Sequence, residues 1–159
     1  MRFLKRYNSY FAPIILTLIP LSISTGCGPP KDETSVYKET YIGVCEDLDT
    51  AAADMETVIR GAAEPSPDWE TLEGNAESVY KTFSSCAARM GSVKVPAEYA
   101  TGHEEFTKAL SDGCAAAAAV LEATQARDRE AVDEAAADFE KAGRRARAAA
   151  EILASVNEK

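Results

Sequence analysis

Between Tyr41 and Ala62 apolar residues recur at alternating steps of four and three: Tyr41, Cys45, Leu48, Ala52, Met55, Ile59 and Ala62. An α-helix gathers such a series on one stripe, whereas a strand, whose side chains change face at every residue, scatters it. Three further stretches keep the same rhythm. Trp69, Leu72, Ala76, Val79, Phe83, Cys86 and Met90 make the second, and Tyr99, His103, Phe106, Leu110, Cys114, Ala117 and Leu121 make the third. The fourth runs Val132, Ala135, Phe139, Ala142, Ala146, Ala149, Leu153 and Val156. Nothing alternates with period two. The pattern predicts an all-α fold, an antiparallel up-down four-helix bundle with helices of roughly 24 to 30 residues and short turns.

The punctuation between the stretches agrees. The first helix is expected over about 35–62, ending near Gly61 and the break Glu64-Pro65-Ser66-Pro67. Ser66 is the expected N-cap of the second helix, with Pro67 at its first position and Asp68 and Glu70 near its positive end. Gly91 closes that helix, Val95-Pro96 opens the third, and Asp128 is the expected cap of the fourth. Of 29 alanines in the chain, 20 lie between Ala97 and the end, so the last two helices can approach closely. The bulk sits elsewhere: Tyr41, Trp69, Tyr80 and Phe83 all fall in the first hairpin. The bundle domain is assigned to 35–159.

The first 26 residues are of another kind. Arg2, Lys5 and Arg6 form a basic head, an apolar run from Phe11 to Ile23 follows, and no acidic residue occurs before Asp32. This order is that of an export signal. The apolar run is short for a membrane-spanning helix, and Pro13 and Pro20 would cost such a helix hydrogen bonds. Past residue 26 the chain keeps 14 of its 17 basic residues and all 26 acidic ones, a formal charge of −12. Such a charge favours solubility and argues against docking on nucleic acid or anionic lipid. Gly28-Pro29-Pro30-Lys31, with the three residues that follow, reads as a short tether within 27–34.

The apolar run leads into Ser24-Thr25-Gly26-Cys27, and here the chain resembles the bacterial lipoprotein class, whose lipobox sets small residues before a cysteine. Ser24 stands where that class usually carries Leu, Val or Ile. The resemblance implies cleavage after Gly26 by signal peptidase II and a diacylglyceryl thioether on Cys27, with acyl chains such as palmitate. It therefore implies anchorage to a bacterial cell membrane or outer membrane, with the domain outside the cytoplasm. The stretch from Val95-Pro96-Ala97-Glu98 to Leu153 also looks like the Pro-initiated helical hairpins of uncharacterised envelope lipoproteins. That likeness implies a fold and a location, not an activity.

With Cys27 assigned to lipid, Cys45, Cys86 and Cys114 remain, which allows at most one intrachain disulfide. Cys45 lies 17 residues before Ala62 and Cys86 lies 18 after Asp68. Both are thus about 26 Å from the shared turn and level across the hairpin. Cys114, 17 residues past Ala97, misses Cys86 by about 18 Å along the axis. A Cys45–Cys86 disulfide is the expected pairing, worth roughly 4 kcal/mol in the chain-entropy model. The alternative is three separate buried thiols.

Residues able to do chemistry are few. His103 is the only histidine, on the apolar stripe of the third helix, and Ala100 stands where a Glu-x-x-His metal pattern needs its Glu. No metal site or cofactor is assigned. Glu104 with Glu105 and Asp133 with Glu134 are helix neighbours that diverge by about 100° and read as solvated faces. No nucleophile elbow, phosphate loop or dinucleotide fingerprint occurs. Lys141, Arg144, Arg145 and Arg147 form the one basic concentration, expected to pair with acidic groups on the first and third helices. The reading is a lipid-anchored, non-enzymatic interaction or binding module with an envelope protein partner and no nucleic acid. The alternative is a carrier or sensor holding a small apolar molecule, haem or a metal in the bundle interior, with His103 and Cys114 as possible contacts.

Overall fold

Asp32 caps the first helix with a carboxylate: its Oδ1 accepts the Ser35 N–H at 2.7 Å, engaging one of the donors that a helix start leaves free. That bond holds the Asp32 carboxyl below the usual carboxylate range. The computed structural model describes residues 32–156. Behind Asp32, α1 runs Glu33–Ala62, two residues earlier than its stripe suggested. It is followed by α2 (Trp69–Ser92), a single 3₁₀ turn (Ala97–Tyr99), α3 (Ala100–Ala126) and α4 (Arg129–Val156). The fold is an all-α four-helix bundle, and no strand occurs among the described residues.

The start of α2 departs from expectation. Asp68, not Ser66, is the cap, and Pro67 stays outside the helix. Asp68 has Thr71 three residues on, and it accepts both the Thr71 N–H at 3.3 Å and the Thr71 hydroxyl at 2.7 Å. A charge-assisted pair of bonds outcompetes a lone serine hydroxyl two residues earlier. The third helix opens as Val95-Pro96 implied, through a 3₁₀ turn in which Tyr99 N–H reaches the Pro96 carbonyl at 2.9 Å before the coil widens at Ala100.

The junction of α3 and α4 is the shortest between two of the described α-helices. Arg127 takes the left-handed conformation at φ 57°. Arg127 N–H then bonds the Thr124 carbonyl and Asp128 N–H the Ala123 carbonyl, both at 3.0 Å, the paired closure of a Schellman motif. Asp128 turns at once to cap α4, its Oδ1 accepting Glu130 N–H at 3.0 Å and Ala131 N–H at 3.1 Å. Two residues thus end one helix and begin the next.

Packing follows side-chain size. Gly102, Ala109, Gly113, Ala116 and Ala117 of α3 are buried, as are Ala135, Ala136, Ala142, Gly143 and Ala149 of α4, and these two backbones make the closest pairing in the bundle. The first hairpin fills its interior with Tyr37, Leu48, Met55, Leu72, Phe83 and Met90. Of the neighbouring helix pairs, α1 and α4 approach each other least at backbone level. Aromatic side chains bridge to α1 from elsewhere: Tyr41 of α1 meets Phe106 of α3 edge-on, with ring centroids 5.1 Å apart. No described helix is long and apolar enough to cross a membrane.

Candidate functional site

The end of the bundle where the described chain enters brings together three polar aromatic side chains, Tyr37, Tyr99 and His103. Tyr37, one turn into α1, is 1% exposed, and its hydroxyl lies 3.3 Å from His103 Nδ1 near the start of α3. The Tyr37 ring sits 5.0 Å from that of Tyr99, in the 3₁₀ turn, and 5.7 Å from the imidazole. Lys38 Nζ lies 5.9 Å from the centroid of the Tyr99 ring, a cation–π distance. Side chains join α1 here to the 3₁₀ turn and to α3, which continues directly from that turn.

Burial governs the protonation of this cluster. It pushes the Tyr37 phenol up to about 12, with lesser contributions from Tyr99 and Cys45, and it moves His103 below its ordinary value. Burial thus favours the uncharged form of both groups, which share one hydrogen bond through the phenol oxygen and Nδ1. His103 is therefore engaged within the fold by Tyr37. Thr107 Oγ1 donates back to the carbonyls of His103 and Glu104, each at 3.0 Å.

The cysteines occupy different surroundings. Cys45 and Cys86 are both buried and both free thiols, which corrects the expected disulfide. The axial estimate was sound, because Cys86 Sγ donates to the carbonyl of Val44, the residue before Cys45, at 3.9 Å. What fails is the direction of the sulfurs. Cys86 aims at the α1 backbone, while Cys45 lies beside Tyr41 of its own helix. Burial pushes the thiols up to about 12 for Cys45 and about 11 for Cys86, so neither is a ready thiolate. Cys114 is half-buried rather than buried, with Sγ 3.3 Å from Ser84 Oγ of α2.

The two residues named as possible ligand contacts do not converge. His103 and Cys114 are eleven positions apart on one helix, about 16 Å along its axis. Among the described residues no group of three or more His, Cys, Asp or Glu is placed to hold a metal ion. Of the basic cluster, Arg145 crosses to Asp112 on α3 as expected, whereas Arg144 stays on its own helix with Glu140 at 3.7 Å. Cys27 and the segment 1–26 lie outside the described residues.

Tyr37 is the residue that the sequence reading passed over. It stands four before Tyr41 and so continues the first stripe by one step. Comparison with protein-family models, with curated proteins and with solved structures finds no match to this chain.

Proposed function

We propose that this protein is a lipid-anchored component of a bacterial cell envelope whose helical domain works outside the cytoplasm as a non-enzymatic interaction module. The observation that carries the reading is Ser24-Thr25-Gly26-Cys27 at the end of an apolar run with a basic head. The position of the bundle suits it. From Cys27 only five peptide steps separate the lipid-bearing residue from Asp32, where the helical cap begins.

The chemistry of the domain supports recognition over turnover. Its one imidazole is hydrogen-bonded to Tyr37, and its two most buried thiols are held protonated. A formal charge of −12 past residue 26 keeps a tethered domain in solution and suits a cationic face on an envelope partner.

Replacing Cys27→Ser is expected to move the domain from the membrane fraction to the soluble one, and retention in the membrane would sink the anchor. Intact-mass spectrometry of membrane-extracted protein is expected to give a chain beginning at Cys27 plus acyl groups. A further noncovalent mass under gentle conditions would favour the carrier reading instead.

A further inference from the structure

The two ends of the bundle differ in chemistry. At the far end, the turns that join α1 to α2 and α3 to α4 expose Glu64, Asp68, Arg127, Asp128 and Arg129. At the entry end lie the start of α1, the connection from α2 to α3 and the end of α4. Val36 and Ile152 are the large hydrophobic residues exposed among the described ones, at 43% and 39%, and both belong to the entry end. Ile152 sits against the first turn of α3, where a Cβ on Gly102 would meet its Cγ2 at 3.3 Å. Half-buried Val93, Val95 and Val156 extend the apolar character of this end.

Charge does not explain the asymmetry. Lys38 and Lys94 stand beside Asp32, Glu33, Glu98 and Glu151, and Lys94 pairs with Glu33. The entry end is thus mixed in sign, unsuited to attracting an anionic surface by field alone. What sets it apart is exposed aliphatic surface at the end nearest Cys27. Five peptide steps reach at most about 18 Å in any conformation, while the 30 residues of α1 rise about 45 Å. On the lipid-anchor reading, the entry end cannot leave the neighbourhood of the bilayer, and the far end is free of it.

We propose that the entry end is a membrane-contact surface: the bundle stands upright on a zwitterionic lipid surface, with Val36 and Ile152 seated at the interface. This rests on the lipid-anchor reading. The occupant is lipid because the tether holds that end there, whereas a protein partner would have to displace the bilayer to reach it. Aliphatic side chains set among mixed charges suit the boundary between headgroups and acyl chains.

The chain carries its own control, since its single tryptophan, Trp69, begins α2 at the far end. The full-length lipidated protein is incorporated in phosphatidylcholine vesicles whose acyl chains carry bromine, a short-range quencher. Tryptophan emission is then compared with that in unbrominated vesicles. Val36→Trp and Ile152→Trp, each in a Trp69→Phe background and checked for helicity, are expected to lose most of their emission, and native Trp69 to lose none. Unquenched Val36→Trp and Ile152→Trp in protein that floats with the vesicles would overturn the contact and leave the anchor standing. Emission that instead shifts to the blue with rising protein density would assign the surface to a second copy. Quenching of Trp69 as well would mean a bundle lying flat, which overturns the upright placement. Protein that fails to float with vesicles would remove the anchor itself, and the contact with it.

Discussion

The two hairpins solve the packing problem in opposite ways. In α1 and α2 the interior is filled by long and aromatic side chains, and the backbones are kept apart by what they bury. In α3 and α4, glycine and alanine let the backbones close on one another, and little volume is needed between them. The first arrangement fails by losing volume and the second by gaining it. α1 shows the consequence most clearly: its backbone lies much closer to α2 than to α4, and side chains alone, Tyr37, Tyr41, His103 and Phe106, tie it across to the start of α3.

The contact of Phe83 with Gly113 puts both regimes in one place. Phe83 of α2 is 5% exposed, its ring meets Phe139 of α4 at 5.2 Å, and a Cβ on Gly113 would lie 2.6 Å from its Cε1. Phe83→Ala is expected to cost about 3–5 kcal/mol in denaturant unfolding, the largest single effect proposed. Gly113→Ala gains about 1 kcal/mol of helix propensity but drives a methyl into a ring held by Phe139, for a net loss of about 1–2 kcal/mol. The double variant decides the mechanism. With the ring gone, the alanine at 113 should become neutral or stabilising, whereas an equal cost in both backgrounds would mean that side-chain volume is not what Gly113 accommodates.

The aromatic tie between α1 and α3 tests the comparison through pH. Tyr37→Phe removes the bond to His103 and is expected to cost about 1 kcal/mol at neutral pH. His103 has a folded pKa lowered by burial from 6.5, so between the folded and unfolded values the unfolded chain binds more protons than the native one. Stability from this group is therefore complete above about 6.5 and declines as pH falls through that window. His103→Gln should remove that part of the decline and leave the carboxylate-driven loss at lower pH. Superimposable pH profiles for the two proteins would show that His103 stays solvated in the fold.

Helix number, order and close pairing were readable because they follow from periodicity and residue size, which a sequence states directly. The alanine excess beyond Ala97 foretold the tight α3–α4 pair, and Asp128 was recognisable as a cap because nothing competed with it nearby. Where two devices compete within three residues, as Ser66 and Asp68 do, the outcome turned on a partner, Thr71, lying beyond the motif. The thiols illustrate another limit. A stripe fixes the level and face of Cys45 and Cys86, but the direction of each sulfur is a rotamer choice, and that of Cys86 is turned to the Val44 carbonyl. His103 drew attention as the lone imidazole, yet its partner Tyr37 is 66 positions away, a distance that no local spacing rule spans.

The turns carry the contrast between the hairpins to its smallest scale. The first hairpin uses six residues between Ala62 and Trp69 and needs no left-handed residue, whereas the second uses Arg127 and Asp128 alone and forces Arg127 to φ 57°. An L side chain in that region crowds its own carbonyl, a cost that glycine lacks. Glycine also loses more freedom on folding, which offsets part of the gain. Arg127→Gly is therefore expected to stabilise by about 0.5 kcal/mol, read as a raised denaturant midpoint at unchanged slope. The same substitution at Ala63, the right-handed cap of α1, should bring no gain. Equal responses at the two sites would mean that the short turn stores no strain, and that the close packing of α3 on α4 costs their connection nothing.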